Sequence, residues 1–118
     1  MSVLVVDDNK EITFLLSTFL KAKGFDITVT NDPKDGLERI KKGEHEVVLL
    51  DISMPEISGI DIIKTLEREK ILKNQKILIF SAVAFSTSQI NDLLKKEGIH
   101  GCLKKPLHLN ELLTAITS

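Results

Sequence analysis

The sequence predicts an α/β fold, a doubly wound sheet of five parallel strands with helices on both faces. Short apolar runs of β-forming residues alternate five times with segments whose apolar residues recur at helical spacing. This alternation is typical of a parallel sheet built through right-handed crossover connections. We therefore expect one (βα)5 domain over residues 1–118, with strand order 2-1-3-4-5. A chain of this length is the usual size of a single domain.

The first two strands differ in their hydrophobic patterns. Residues 3–6 are four consecutive apolar β-formers, as in a buried parallel strand, whereas residues 26–30 alternate and predict a less buried strand. The helix between them has apolar residues at positions 12, 15, 16, 19 and 20, which we take as its buried face. The second helix begins at Asp32 and Pro33, because aspartate caps helices and proline suits the first helical position.

The remaining three units follow without a linker or a low-complexity segment. Their strands are predicted at residues 47–50, 76–80 and 100–104. Their helices are predicted at residues 59–69, between 86 and 98, and at 109–116. The strand at 47–50 is the most hydrophobic, which indicates a central position in the sheet.

The composition argues against several classes of protein. The 16 basic and 17 acidic residues nearly balance, unlike the clustered basic excess of a nucleic-acid binder, and Trp and Tyr are absent as platforms for bases. One cysteine cannot form an internal disulfide, and the three histidines lack the spacing of a zinc site. No apolar run approaches the roughly 20 residues of a membrane span. Since Met1 leads straight into a strand-like run, without a signal sequence, we expect a cytoplasmic protein.

Polar residues collect where the predicted strands end. The first strand is followed by Asp7 and Asp8, the third by Asp51, the fourth by Ser81 and the fifth by Lys105. Ligands of doubly wound sheets bind beyond the carboxyl ends of the strands. We therefore expect three carboxylates, a hydroxyl and an ammonium group around one crevice.

This combination of groups predicts phosphoryl chemistry. Three close carboxylates repel one another unless a cation neutralises them, and an all-oxygen set suits Mg²⁺. A carboxylate held at the end of an apolar strand, as Asp51 would be, can act as the nucleophile toward a phosphoryl group. The metal and the lysine would offset charge on the transferred oxygens. Taken singly, Asp8 could merely cap the first helix and Ser81 could be an ordinary loop hydroxyl, so the prediction depends on the whole set.

At these residues the sequence resembles the receiver domain of two-component response regulators. The matching motifs are VLVVDD at 3–8, VLLDISMP at 48–55 followed by Gly59, the Ser-Ala pair at 81–82 and the Lys-Pro pair at 105–106. The match covers essentially the whole chain, and the ordered set is specific. The resemblance implies a flavodoxin-like receiver fold.

The resemblance also implies a role for each site residue. Asp51 would accept a phosphoryl group from a histidine kinase or a phosphotransfer protein. Asp8 and Asp51 would bind Mg²⁺ directly together with the backbone carbonyl of Ser53, and Asp7 would assist through water. Lys105, the residue directly before the proline, would bind a phosphoryl oxygen.

A conformational switch is implied as well, and Cys102 departs from the family pattern at this switch. Ser81 would be the switch hydroxyl, and the peptide bond preceding Pro106 would be cis. Cys102 stands where many receivers carry Tyr or Phe, so a swing of an aromatic ring cannot report phosphorylation. We therefore expect the response mainly in residues 82–88, which include Phe85.

The function implied is that of a single-domain response regulator that signals through phosphorylation-dependent protein contacts. No activity is expected beyond its own Mg²⁺-dependent phosphorylation and dephosphorylation, and no nucleic-acid or membrane partner is expected. Phe14 lies off the apolar stripe of the first helix, either as a partly covered aromatic or as a docking residue for the kinase.

Three alternatives remain open. A phosphatase-like hydrolase would need a second Asp two residues after the first, where Ser53 stands. A flavodoxin-like cofactor carrier would need a Ser-, Thr- or Gly-rich phosphate loop after the first strand, where Asp7 and Asp8 would repel the phosphate. A pseudo-receiver would fold in the same way without being phosphorylated.

Overall fold

A computed structural model describes residues 1–54, 56–81, 87–106 and 108–118, apart from the side chains of Ser81 and Thr87. The strands are β1 (Ser2–Val6), β2 (Asp26–Thr30), β3 (Val47–Asp51), β4 (Ile77–Ser81) and β5 (Ile99–Lys104). The helices are α1 (Lys10–Ala22), α2 (Pro33–Lys42), α3 (Gly59–Arg68), α4 (Thr87–Leu94) and α5 (Leu109–Thr117). A short 3-10 helix, Leu72–Asn74, precedes β4 and was not predicted from the sequence.

All neighbouring strands pair in parallel, in the order β2-β1-β3-β4-β5. This confirms the predicted fold class and strand order. Every residue of the central strand β3 is buried, whereas the edge strand β2 is only partly covered. The continuous apolar run and the alternating run in the sequence reflect this difference, because a central parallel strand is covered on both faces.

Two hydrophobic cores lie on opposite faces of the sheet. One packs β1, β3 and β4 against side chains of α2, α3 and α4, and the other packs the opposite faces of these strands against α1 and α5. The two layers leave the carboxyl ends of the strands facing a single edge, where the loops to the helices begin. Among the described residues, no helix has the length and apolar character needed to cross a bilayer.

The cap of α1 differs from one of the sequence-based alternatives. Asn9, not Asp8, is its N-terminal cap, and the Asn9 side chain accepts hydrogen bonds from the backbone N–H groups of Glu11 and Ile12. Asp32 caps α2 as predicted, with Pro33 in the first turn. Because Asn9 satisfies the helix terminus, the Asp8 carboxylate is not needed there.

The predicted buried face of α1 is wrong at one position. The buried residues of this helix are Thr13, Leu16 and Leu20, while Leu15 is 53% exposed. At about 100° per residue, Leu15 lies roughly 100° from the middle of the face that contacts the sheet. Together with Phe14, which is 73% exposed, it forms an apolar patch on the outer side of α1.

Candidate functional site

Three carboxylates converge at the carboxyl edge of the sheet. Asp7, Asp8 and Asp51 each offer an oxygen atom, and these atoms all lie within 4.8 Å of one another. Asp7 and Asp51 are buried, whereas Asp8 is exposed. The group is therefore closed on the side of the sheet and open to solvent on the side of Asp8.

Lys105 connects the two buried carboxylates. Its Nζ lies 3.2 Å from Oδ2 of Asp51 and 3.4 Å from Oδ2 of Asp7. The neighbouring Lys104, the last residue of β5, is exposed. One step along the chain thus separates a lysine that enters the crevice from one that faces solvent, since successive residues of an extended chain point in opposite directions.

The two buried aspartates are held in the same way by their own loops. Oδ1 of Asp7 accepts a hydrogen bond of 2.9 Å from the N–H of Asn9, and Oδ1 of Asp51 accepts one of 2.9 Å from the N–H of Ser53. Such bonds to the amide two residues ahead are characteristic of aspartates in turns. In each case the other oxygen, Oδ2, is the one that faces Lys105.

Burial and neighbouring charges shift the pKa values of Asp7 and Lys105. Burial raises the pKa of Asp7 from 3.8 to about 6; the N–H of Asn9 opposes this shift, the charge of Asp51 adds to it and Lys105 again opposes it. Burial lowers the pKa of Lys105, but the charges and hydrogen bonds of Asp7 and Asp51 outweigh this effect and raise it overall. The lysine therefore stays protonated, and the site combines one ammonium group with three carboxylates.

The chemistry of this donor set fits a hard divalent cation. All the side-chain donors are carboxylate oxygens, and Lys105 alone leaves them with excess negative charge. Mg²⁺ binds through one or a few carboxylates and keeps several waters, which the exposed side at Asp8 accommodates. Asp7, Asp8 and Asp51 are the residues that could hold it.

A glycine allows α3 to begin directly against the end of β3. A Cβ atom added at Gly59 would lie 2.5 Å from the backbone oxygen of Asp51 and 2.6 Å from Cα of Ile52. Any other side chain would therefore push the helix away from the chain segment that contains Asp51. Ser58 and Asp61 form a capping box that fixes this helix start.

Of the remaining predicted site residues, Pro106 and Cys102 are described, whereas Ser81 is described only in part and Phe85 is not described. The peptide bond preceding Pro106 is cis. Cys102 is half-buried in β5 and packs against the core on the α2–α4 side of the sheet. The backbone of Ser81 ends β4, but its side chain, like Phe85 and all of residues 82–86, lies outside the described residues.

Two asparagines near the site were missed from the sequence. Asn9 both caps α1 and donates its backbone N–H to Asp7, and an asparagine directly before a helical stripe is a recognisable capping signal. Asn31, in the loop after β2, donates from Nδ2 to the backbone oxygen of Asp7 at 2.9 Å and to Oγ1 of Thr13 at 3.0 Å. No local pattern could reveal the second contact, because it joins residues 24 positions apart.

Relatives of known sequence resemble this chain along nearly its whole length. The CpxR homolog of Haemophilus influenzae, a transcriptional regulatory protein, is 32% identical over 114 residues, which are 97% of this chain and 48% of that protein. The cell cycle transcriptional regulator CtrA of Caulobacter vibrioides is 30% identical over 118 residues, with coverage of 98% and 48%. The chain thus spans about half the length of these curated relatives.

Solved structures and a family model agree with this similarity. The receiver domain of Francisella response regulator 1452 has a TM-score of 0.86 at 34% identity, covering 98% of this chain and 93% of that one. A CheY-like receiver domain protein from Methanospirillum hungatei JF-1 has a TM-score of 0.83 at 27% identity, with coverage of 98% and 90%. The family model of the response regulator receiver domain matches residues 3–117. The chain therefore belongs to the response regulator receiver domain family of two-component signal transduction.

Proposed function

We propose that Asp51 accepts a phosphoryl group in a Mg²⁺-dependent reaction and that the chain signals through protein contacts that this modification changes. The environment of the Asp51 carboxylate is the observation on which the proposal depends. This carboxylate is buried at the end of the central strand, with Oδ1 bonded to the N–H of Ser53 and Oδ2 3.2 Å from Nζ of Lys105. A fixed carboxylate beside a cation is suited to nucleophilic attack on phosphorus.

In the proposed reaction the donor is a phosphohistidine of a histidine kinase or phosphotransfer protein. An oxygen of Asp51 forms the new P–O bond, the P–N bond of the donor breaks, and its electron pair leaves with the imidazole. Mg²⁺, when bound, neutralises charge on the phosphoryl oxygens. Asp8, Asp51 and the backbone carbonyl of Ser53 would hold the metal directly, and Asp7 would act through water.

Lys105 takes the role of the phosphoryl partner in this proposal. Its ammonium group already lies 3.2 Å from Oδ2 of Asp51, so it can meet the incoming oxygens without a large movement. Lys104 faces solvent and is assigned no part. The phosphoryl group adds three acceptor oxygens, and the Ser81 hydroxyl is proposed to bond one of them.

Intact-mass measurement after incubation with Mg²⁺ and acetyl phosphate tests the assignment of Asp51. The wild-type chain should gain one phosphoryl group, and Asp51→Asn should gain none. Asp35→Asn is a matched control, since Asp35 is a carboxylate on α2 that pairs with Arg39 outside the crevice. Labelling of Asp51→Asn to the wild-type level would refute the assignment, and an unlabelled wild type would favour the pseudo-receiver.

A second assay, with a chromogenic phosphate monoester, separates a receiver from a hydrolase. As a receiver, the chain would form the phosphoryl-aspartate and release at most this one phosphate per chain, with no turnover of other phosphate esters. A hydrolase would release inorganic phosphate from a chromogenic phosphate monoester over many turnovers. We therefore propose no enzyme activity beyond phosphorylation and dephosphorylation of Asp51.

The response to phosphorylation is proposed to occur mainly in residues 82–88, including Phe85. Cys102 is half-buried against the core and is too small to fill the space that a moving Ser81 hydroxyl would vacate. Amide exchange with and without beryllofluoride, a mimic of the phosphoryl group, should change most in 82–88 and less around Cys102. A change confined to β5 would contradict this proposal.

The apolar patch on α1 is proposed as a contact for the phosphoryl donor. Phe14 and Leu15 are 73% and 53% exposed on the helix that starts at the loop of Asp7 and Asp8.

Single-domain action is also part of the proposal, although the relatives described above are about twice as long. A chain that alone accepts the phosphoryl group and then binds its target would support it.

A further inference from the structure

Asn31 links the loop after β2 to the loop that contains the acidic pair. It lies between Thr30, the last residue of β2, and Asp32, the cap of α2. Its Nδ2 donates to the backbone oxygen of Asp7 at 2.9 Å and to Oγ1 of Thr13 at 3.0 Å. Both N–H groups of the amide are therefore used, and neither serves the cap of α2.

The partners of Asn31 fix the orientation of its amide. A backbone carbonyl can only accept, so the nitrogen of the amide must face Asp7. Thr13 is 2% exposed, and its hydroxyl donates to the backbone oxygen of Lys10 at 3.1 Å, which leaves Oγ1 free to accept from Asn31. The amide nitrogen thus bonds both to the start of α1, at Thr13, and to the residue that follows β1, Asp7.

These bonds hold the backbone of Asp7 on both sides. Its N–H donates to the backbone oxygen of Thr30 at 3.2 Å, and its carbonyl accepts from Asn31. That carbonyl belongs to the planar peptide group that joins Asp7 to Asp8. The orientation of this plane sets the direction of the backbone at Asp8. Asp8 is the exposed member of the three carboxylates.

We propose that Asn31 is a positioning residue for the metal site. Its hydrogen bond fixes the orientation of the Asp7–Asp8 peptide plane and so orders the carboxylates of Asp7 and Asp8 in the metal-free protein. The inference rests on the proposed function, in which this cluster binds Mg²⁺. Groups that orient metal ligands typically change metal affinity when they are removed, because the ligands must then be ordered on binding.

Calorimetric titration of the full chain with MgCl₂ tests this role. Asn31→Ala should weaken Mg²⁺ binding by about tenfold, the low end of the range for groups that hold a metal ligand. Thr13→Val keeps the shape of the side chain but removes the acceptor for the second N–H, and should weaken binding by a smaller factor. Asp32→Ala is the matched control, because it removes the neighbouring helix cap without touching Asp7.

A second readout uses the metal-free protein. The N–H of Asn9 is bonded to Oδ1 of Asp7, so it reports on the order of this loop. Its exchange with solvent should be faster in Asn31→Ala and in Thr13→Val and unchanged in Asp32→Ala. This measurement depends on neither Mg²⁺ nor phosphorylation.

The outcomes separate the inference from the proposed function. No Mg²⁺ binding by the wild type would refute the proposed metal site itself. Wild-type binding with equal affinity in Asn31→Ala would overturn the role of Asn31 alone. Equal weakening in Asp32→Ala would show that loss of stability, not of positioning, is the cause and would also overturn it. If Asn31→Ala does not fold, unchanged affinity in Thr13→Val is the overturning result.

Discussion

At the carboxyl edge of the sheet, Lys105 pairs with two carboxylates whose side chains are 0% and 2% exposed, whereas Lys96, just after α4, pairs with a Glu67 that is 50% exposed. The surface pair is the shorter, at 2.7 Å against 3.2 and 3.4 Å. The N–O distance alone therefore does not decide which ion pair contributes more to stability. Buried charges interact in a medium of low polarity but have lost their hydration, while exposed charges keep water and gain little from each other.

The difference between the two sites indicates what each is for. A surface pair can form or break with little consequence for the fold. The set at the carboxyl edge has three carboxylates, two of them buried, for one ammonium group, and this arrangement costs stability in the metal-free protein. Such a cost is commonly found at functional sites, and it is consistent with the proposed binding of a cation and a phosphoryl group.

Removing the ammonium group that meets the two buried carboxylates should produce the largest effect. Lys105→Met leaves Asp7 and Asp51 without their cation, and breaking a buried pair costs about 3 kcal/mol of unfolding free energy. The phosphorylation rate should fall about a hundredfold, as when one stabilising donor is removed from a reacting oxygen. Urea denaturation in EDTA and intact-mass time courses measure the two effects.

Lys104→Met is the matched control for this change, because Lys104 is adjacent and exposed. It should shift the unfolding free energy by less than about 0.5 kcal/mol and leave phosphorylation nearly intact. The reverse pattern would move the role to Lys104.

Removing one buried carboxylate should stabilise the metal-free protein. The pKa of Asp7 is about 6 in the folded chain, above its ordinary 3.8, so the native state binds more protons than the unfolded state between these values. Stability from this group therefore falls as pH rises from roughly 4 to 6 and stays low above that range. Asp7→Asn should therefore raise the free energy of unfolding by up to about 3 kcal/mol at pH 7.

The test compares wild type and Asp7→Asn by urea denaturation in EDTA between pH 4 and 7. The difference between the two curves should grow with pH through this window and then level off. Parallel curves across the whole range would show that burial and the neighbouring negative charge do not raise the pKa of Asp7 as stated.

Adding Mg²⁺ should have an effect of similar size at the carboxyl edge and none at the surface pair of Lys96 and Glu67. Mg²⁺ at 100 times its dissociation constant stabilises the folded chain by about 2.7 kcal/mol, because it binds only the assembled carboxylates. Asp8→Ala should abolish this gain, while its metal-free stability stays the same or rises as like-charge repulsion is relieved. Thermal unfolding with and without MgCl₂ measures both, and an equal gain in Asp8→Ala would contradict the metal site.

Much of the fold and of the crevice could be predicted from the sequence, because the signals are local. The apolar run before Asp51 identifies a central strand, and Asp32 with Pro33 marks the start of α2. Parallel strands bring their ends to one edge, so the convergence of the three carboxylates follows from topology alone.

The features that were missed depend on tertiary packing. Leu15 fits a helical stripe, but which side of that stripe meets the sheet is decided by packing, and Leu15 is left exposed. The 3-10 helix Leu72–Asn74 is too short to show a periodic pattern. The contact of Asn31 with Asp7 joins two loops that are distant along the chain, so no spacing rule could predict it.

The smallest effect is expected when the surface pair is broken. Glu67→Gln removes the charge that meets Lys96 but leaves both side chains in water, so the loss should be under about 1 kcal/mol. A double-mutant cycle with Lys96→Gln isolates the pair from other effects of each change, and the coupling should shrink further in 1 M salt, where screening acts over roughly 3 Å. Phosphorylation of Asp51 should be unchanged. A coupling free energy between Glu67 and Lys96 as large as that of Lys105 with its carboxylates would show that burial does not distinguish the two sites. The loss of stability ascribed to the three carboxylates would then need another cause.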